Sequence, residues 1–333
     1  MKASDVVHLT KAQKLEIERQ MRYVDFVTRQ GFSLNPGRDD VLAVFDATMI
    51  LLNIDYTQAQ LHAMLTDVED NSLQAIFVRR YYNLLSTLLA DNVDTTIDES
   101  RVLELSQQLF GESAGTTSGQ LRRSSAVSSL RRGAVVSRES YAASRELSEL
   151  MEWLLVSSGG VSFSLINIAV FLYRFVHTST LSRGREGVAH LLMLLLLRRS
   201  GYHWVRACAP AILMVEDRVA YRRALLSDND AQQGLTSWVL YFVGVVYESA
   251  KRFSAKYAPV LPAQSASHKS VLNSRQRAIL DYIADNQPVG LAAIVQFLHK
   301  ESINTIKKDL IHLREMGYIL PDGVLKGTVY YKI

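Results

Sequence analysis

Between two apolar runs, 161-VSFSLINIAVFLYRFV-176 and 188-VAHLLMLLLL-197, the chain carries 177-HTSTLSRGREG-187. A histidine, arginines and glycines opening a helix are the parts of a phosphate-handling loop. Backbone N–H groups at a helix start attract anions, guanidinium groups grip phosphate oxygens, and an imidazole can take a proton from a hydroxyl. His177 is the candidate base, and Arg183, Gly184 and Arg185 are the candidate nucleotide- or anion-binding residues. Between His177 and Arg185 there is neither the carboxylate nor the asparagine that such a loop would want. The stretch therefore reads as an active site, an eroded one, or a turn between two core helices.

A second group lies near the C-terminus. Ser302, Asn304, Thr305, Lys307 and Lys308 open a predicted helix, and Lys326 follows in a predicted hairpin. Short polar and cationic groups in this arrangement suit phosphates and base edges of DNA. Other clusters carry less. His190 and His203 read as core or capping histidines, Cys208 as a small buried group, and Tyr81 and Tyr82 as packing residues. Asp67, Glu69 and Asp70 read as a solvated helix end, so no metal site is expected. No phosphate-binding loop of the Walker type, dinucleotide fingerprint, zinc spacing or nucleophile elbow is present.

The elements that must position these residues are mostly helices. Only six prolines and 17 glycines interrupt 333 residues, of which 48% are hydrophobic and 21% charged. Apolar residues recur at three and four spacing in 12–27, 39–52, 57–65, 72–90, 100–110, 145–155, 210–226 and 235–253. The run 188–197 is too short for the ~20 residues of a membrane span, and 154–175 is broken by Ser-Ser-Gly-Gly. Both read as buried helices, with no membrane partner. The single cysteine excludes an internal disulfide framework, and the start shows no export-signal pattern. Both fit a cytoplasmic protein. A net charge of +4 permits a nucleic-acid partner without requiring one.

Two segments break the helical pattern. Residues 114–140 are rich in Ser, Gly and Arg, with five arginines and no acid between 119 and 138. They read as a solvated loop or as a short β-hairpin lying over a neighbouring site. Residues 258–270, rich in Pro, Ala and Ser, read as a linker. Beyond it, helices over 272–286, 289–299 and 301–319 precede a strand pair, 318–320 with 328–333. This is the winged helix-turn-helix order, and its "S-x-N-T-x-K-K-D-L" and "K-G-T-V-Y-Y" stretches resemble bacterial winged-helix domains. DNA is the partner this implies, although winged helices also serve protein contacts. With eight Lys or Arg against six Asp or Glu from residue 270 on, the domain is not strongly basic.

The ordered features of residues 35–255 resemble the Fic family of nucleotidyl transferases, all-helical domains with a loop H-x-F-x-[D/E]-G-N-G-R-x-x-R. A flap sequence of type G-Q-x-R stands at Gly119, Gln120 and Arg122. The helix 165-LINIAVFLYRFVH-177 ends on the histidine, 187-GVAHLLMLLLLRRSGY-202 ends in the family's manner, and 221–243 resembles the tyrosine and tryptophan helices that follow. The loop departs from the family. Ser179 replaces the phenylalanine, Leu181 the Mg²⁺-binding acid, Ser182-Arg183 the Gly-Asn pair, and Val188 the last arginine. Leucine supplies no oxygen to a hard cation. Ile50 aligns with the glutamate of the family's inhibitory helix.

These readings imply a mainly α protein: a Fic-like helical domain with a short β-hairpin flap, then a small winged helix-turn-helix (α+β) domain. The expected division is an N-terminal helical region 1–95, a Fic-like core 96–257, a linker 258–270 and a winged helix-turn-helix 271–333. The expected function is a DNA-binding regulator whose Fic-like domain is catalytically degenerate and serves ligand sensing, dimerisation or partner binding. The alternative is a divergent AMP transferase acting on protein hydroxyls with His177 as base. No cofactor is expected under the first reading. ATP and Mg²⁺ enter only under the second.

Overall fold

The computed structural model describes residues 7–29, 37–67, 69–110, 138–158, 163–177, 185–225, 231–257, 272–316, 318–322 and 327–332. The fold is mainly helical. Two compact units emerge, one of residues 1–8 with 32–249 and one of residues 9–31 with 250–333. Residues 9–31, which hold helix α1 (Lys11–Arg29), thus fall with the C-terminal residues, whereas the periodicity alone places them with 32–95. The predicted flap at 119–136, the linker at 258–270 and Lys326 lie outside the described residues.

The first unit contains α2 (Arg38–Leu51), α3 (Gln58–Thr66), α4 (Leu73–Leu89), α5 (Glu99–Phe110), α6 (Arg138–Ser158), α7 (Leu165–His177), α8 (Arg185–Arg199), α9 (Pro210–Glu216) and α10 (Arg218–Leu225). The division between the units falls inside α11 (Ala231–Tyr257). Helix α8 is the centre. Every residue from Gly187 to Arg198 is buried, which a helix apolar on all sides requires. Helices α4, α5 and α7 pack against it, and α6 covers α7. Trp238 of α11 donates its indole N–H to the Ala169 carbonyl of α7 at 2.8 Å, so a buried polar atom joins the two helices. No helix among the described residues is long and apolar enough to cross a membrane.

Two buried arginines close the C-terminal end of α4. Its last carbonyls have no partner within the helix. Arg198 donates to the Leu88 carbonyl and, at 3.1 Å, to that of Asp91. Arg206 donates Nε–H to the Leu89 carbonyl at 2.6 Å and pairs with the Asp91 carboxylate. Burial holds the Arg198 guanidinium below its usual range, with the charge of Arg206 adding to this.

One sequence expectation is corrected here. The apolar period over 210–226 predicts a single helix, but the chain forms α9 and α10 with a break at Asp217 (φ −125°, ψ 67°). The Asp217 carboxylate accepts from the Ala220 N–H at 2.9 Å. A carboxylate that caps a new helix start competes with continuing the old one.

The second unit holds α1, α12 (Ser274–Asn286), α13 (Leu291–Phe297), α14 (Ile303–Glu315) and strands β1 (Val289–Gly290), β2 (Ile319–Asp322) and β3 (Val329–Lys332). The strands form an antiparallel sheet in the order β1-β3-β2, with Val289 opposite Tyr330 and Ile319 opposite Lys332. The helix expected from 289 therefore starts at Leu291. Val289 and Gly290 are extended, and the Val289 side chain is buried in the core with Ile279, Ile283, Ile294, Ile306, Leu313 and Ile319. Ile17, Val24 and Val27 give α1 a buried face, and Phe26 meets Tyr318 with ring centroids 5.9 Å apart.

The starts of α12 and α14 are closed by short side chains. Asn273 forms a reciprocal capping box with Gln276. Ser302 accepts the Thr305 N–H at 3.1 Å. The buried Asp309 of α14 receives Gln276 Nε2 at 2.8 Å and pairs with Arg275, locking α14 to α12.

Candidate functional site

Helix α7 ends at His177, whose ring is exposed. The His177 Nδ1 lies 2.8 Å from the Tyr173 carbonyl one turn earlier, and its ring stacks on Tyr173 at a centroid distance of 4.2 Å. A carbonyl can only accept, so Nδ1 carries a proton, and in the neutral ring Nε2 then holds the lone pair. One turn before His177, Arg174 lies over the Trp153 ring at 5.0 Å, with burial holding its guanidinium below the usual range.

The chain is next described at Arg185, the first residue of α8. Arg183 and Gly184, with Leu181 and Ser182, lie outside the described residues, as do Gly119, Gln120 and Arg122. Of the candidate loop residues, His177 and Arg185 are the two described, at the end of one helix and the start of the next. Val188 is fully buried, so the position that aligns with the family's last arginine contributes a core side chain.

The surroundings of the α8 start come from distant parts of the sequence. Tyr81 of α4 donates its hydroxyl to the Gly187 carbonyl at 3.4 Å. Glu186 lies 4.0 Å from Arg222 of α10. Arg222 also donates to the Leu51 carbonyl at 3.0 Å, and Arg218 donates to the Asn53 side chain. The C-terminal end of α2 and the arginines of α10 thus frame this helix start. Ile50, in that same end of α2, is 39% exposed. Sequence reasoning missed Arg218 and Arg222. The only signal was the basic run 221-YRR-223 placed one turn after a capping aspartate.

Behind the helix start, Leu172, Val176, His190, Met193, Tyr221 and Trp238 line a crevice. It has space for ≈ 20 Å³ of water-sized contents, roughly one water molecule. His190 accepts from or donates to the Tyr221 hydroxyl at 3.2 Å. Burial lowers the His190 pKa to about 4, with Arg222 adding to the shift. The imidazole is therefore neutral near pH 7, and its tautomer sets which of the two groups donates. Burial likewise raises the Tyr221 hydroxyl above its ordinary range. His190 is a core histidine. His203, also lowered by burial, lies in the turn beyond α8 with Arg198 and Arg206 near it. Among the described residues no group of three or more His, Cys, Asp or Glu could hold a metal ion. Asp67 and Asp70 accept backbone N–H groups of Glu69 and Ser72, as loop-forming residues do.

The second candidate surface is the start of α14. Ser302 and Thr305 share a 2.8 Å hydroxyl contact and close the helix start. Asn304, Lys307 and Lys308 are exposed over the first two turns, beside Ile303 (51% exposed) and Ile311 (47% exposed). Asp309 and Ile306 point inward. The helix therefore turns an amide, two ammonium groups and two aliphatic side chains outward.

No protein-family model matches the chain, and no curated protein matches it. Solved structures do. A Fic family protein from Desulfovibrio desulfuricans G20 is similar over 98% of this chain and 97% of its own, with a TM-score of 0.55 and 16% identity. A Fic-1 fragment from C. elegans is similar over 74% of each chain, at a TM-score of 0.55 and 18% identity. A variant of that fragment reaches a TM-score of 0.53 over 72% of each chain, at 19% identity. At these identities the likeness is one of architecture, and the chain has a Fic-like helical fold.

Proposed function

We propose that the protein is a DNA-binding regulator in which residues 271–333 act as a winged helix-turn-helix and the Fic-like helical part has a non-catalytic role. The observation that carries this reading is the outward face of α14, where Asn304, Lys307 and Lys308 stand exposed on the first two turns of a capped helix. Asparagine can pair with adenine in the major groove, and lysines engage phosphates. The three helices and the antiparallel sheet in the order β1-β3-β2 support the same reading. The buried Val188 and the leucine at 181 support a non-catalytic helical part, because neither holds a triphosphate or its metal.

The test is binding to DNA from the protein's own gene neighbourhood, followed by anisotropy across a salt series. The double variant Lys307→Ala, Lys308→Ala weakens binding on all sequences and lowers the salt slope by about 2. Asn304→Ala costs ~1–3 kcal/mol of preference at one base pair. Binding without sequence preference and unchanged in the double variant defeats the proposal.

A second reading rests on His177. Its tautomer, fixed by the Tyr173 carbonyl, leaves Nε2 able to take a proton from a protein hydroxyl. Under this reading the chain is a divergent nucleotidyl transferase that needs ATP and Mg²⁺. Incubation with labelled nucleoside triphosphates, Mg²⁺ and candidate proteins distinguishes the two. Label that His177→Ala abolishes establishes the transferase; absence of label supports the regulator.

A further inference from the structure

A cleft of ≈ 400 Å³ opens between α4 and α5 in the helical unit, apart from both candidate sites above. Its polar lining is Arg80, Asn83 and Thr87 from α4 and Arg101, Glu104 and Gln108 from α5. That volume lies within the ~300–1,000 Å³ range of small-molecule sites.

The hydrogen bonds within the cleft leave a definite deficit of acceptors. Glu104 is satisfied twice, by Arg101 Nη1 at 2.6 Å and by Gln108 Nε2 at 2.9 Å. The Nε–H of Arg101 is nonetheless buried and meets no acceptor. Closed to solvent, this donor is not itself open to a ligand in the cleft. Arg80 has one long contact, 3.5 Å to the Leu109 carbonyl, for five N–H donors. Among the lining residues two guanidinium groups face one carboxylate, with Asp94 also acting on Arg101, so Arg80 is the cation with the fewest internal partners.

We propose that this cleft binds a small phosphomonoester bearing hydroxyl groups. A single guanidinium fills the two coplanar oxygens of a carboxylate. Here two guanidinium groups come from two different helices, which suits the non-coplanar oxygens of a phosphate. The Asn83 and Gln108 amides and the Thr87 hydroxyl can meet hydroxyl groups at the mouth, where these side chains are exposed. The site depends on neither reading of the C-terminal unit nor on His177, so it can fail or stand by itself.

Calorimetric titration of the full chain with glycerol 3-phosphate, inorganic phosphate and glycerol tests it. Glycerol 3-phosphate binds more tightly than phosphate, and glycerol gives no heat. Arg80→Gln weakens binding at least about tenfold, the effect of losing a charge-assisted contact. Arg80 makes one weak internal contact, so this variant keeps the parent's thermal transition, and Arg80→Lys recovers part of the affinity. Absence of heat with glycerol 3-phosphate overturns the proposal. So does affinity unchanged by Arg80→Gln, or affinity lost on Arg185→Ala instead, which would locate the anion at the start of α8.

Discussion

In the helical unit, Arg198, Arg206 and Arg222 direct their guanidinium groups to carbonyls at the ends of α4 and α2. In the C-terminal unit, Asn273 and Ser302 close helix starts with short side chains and leave Lys307 and Lys308 facing solvent. Both units are rich in cations beside helix termini, and composition does not separate them. Where long basic side chains complete the helix ends, their charge belongs to the fold. Where serine and asparagine do that work, the neighbouring lysines remain available to a partner. The start of α8 belongs to the first kind, with Glu186 and Arg222 beside it. The start of α14 belongs to the second.

The sharpest way to break this comparison is to remove an inward cation. Arg206→Ala leaves the Leu89 carbonyl without its donor and removes the half-exposed pair with Asp91, and costs ~1.5–3 kcal/mol, read from urea unfolding. A loss below ~1 kcal/mol would show that the inward arginines are dispensable. Next in size is the pH response of His190. Its folded pKa of about 4 lies below the ordinary 6.5, so the unfolded chain binds the extra proton. The stability contribution is complete above pH 6.5 and falls as the pH drops toward 4, by at most about 3 kcal/mol. Thermal melts between pH 7 and pH 4.5 should show this decline, and His190→Gln should flatten it.

On the outward side the expected effects on stability are smaller. Asn273→Ala removes the α12 cap and costs ~1 kcal/mol, seen as a lowered transition of the C-terminal unit. Smallest is Lys307→Ala with Lys308→Ala, which shifts stability by less than ~0.5 kcal/mol while, under the proposed function, weakening DNA binding. If this pair instead destabilises the fold by as much as Asn273→Ala, the lysines belong to the structure, and the comparison fails.

The sequence made the central helices legible because α8 is apolar on all sides and α7 ends on the histidine that carries the family resemblance. The helices among the described residues share one architecture with Fic family structures, in agreement with that reading. The grouping of α1 was not legible. Amphipathic spacing shows that a helix has a buried face, but nothing in Ile17, Val24 or Val27 names what covers it. The break at Asp217 was hidden by an apolar period that runs through it, since a capping hydrogen bond outweighs periodicity at one residue. Strand β1 was missed because two residues are too few for an alternating pattern. The candidate loop was singled out in the sequence by His177, at the end of α7, and Arg185, at the start of α8. Arg218 and Arg222 could not be read this way, because their roles depend on how α9 packs on α2 and so brings α10 to its end.

The pairing of Asp309 with Arg275 and Gln276 has a consequence for how the outward face of α14 could change. The helix is held from its inner side, by a carboxylate and by Ile306, Leu310 and Leu313. Positions 304, 307 and 308 share none of those contacts. Their chemistry can be rewritten while the helix keeps its rotation about its own axis, so new recognition can be sampled by substitution alone. An insertion of one residue before Asp309 would act differently: it would turn the carboxylate through about 100° and detach the helix from α12. The anchor thus makes this surface tolerant of exchange and intolerant of changes in length.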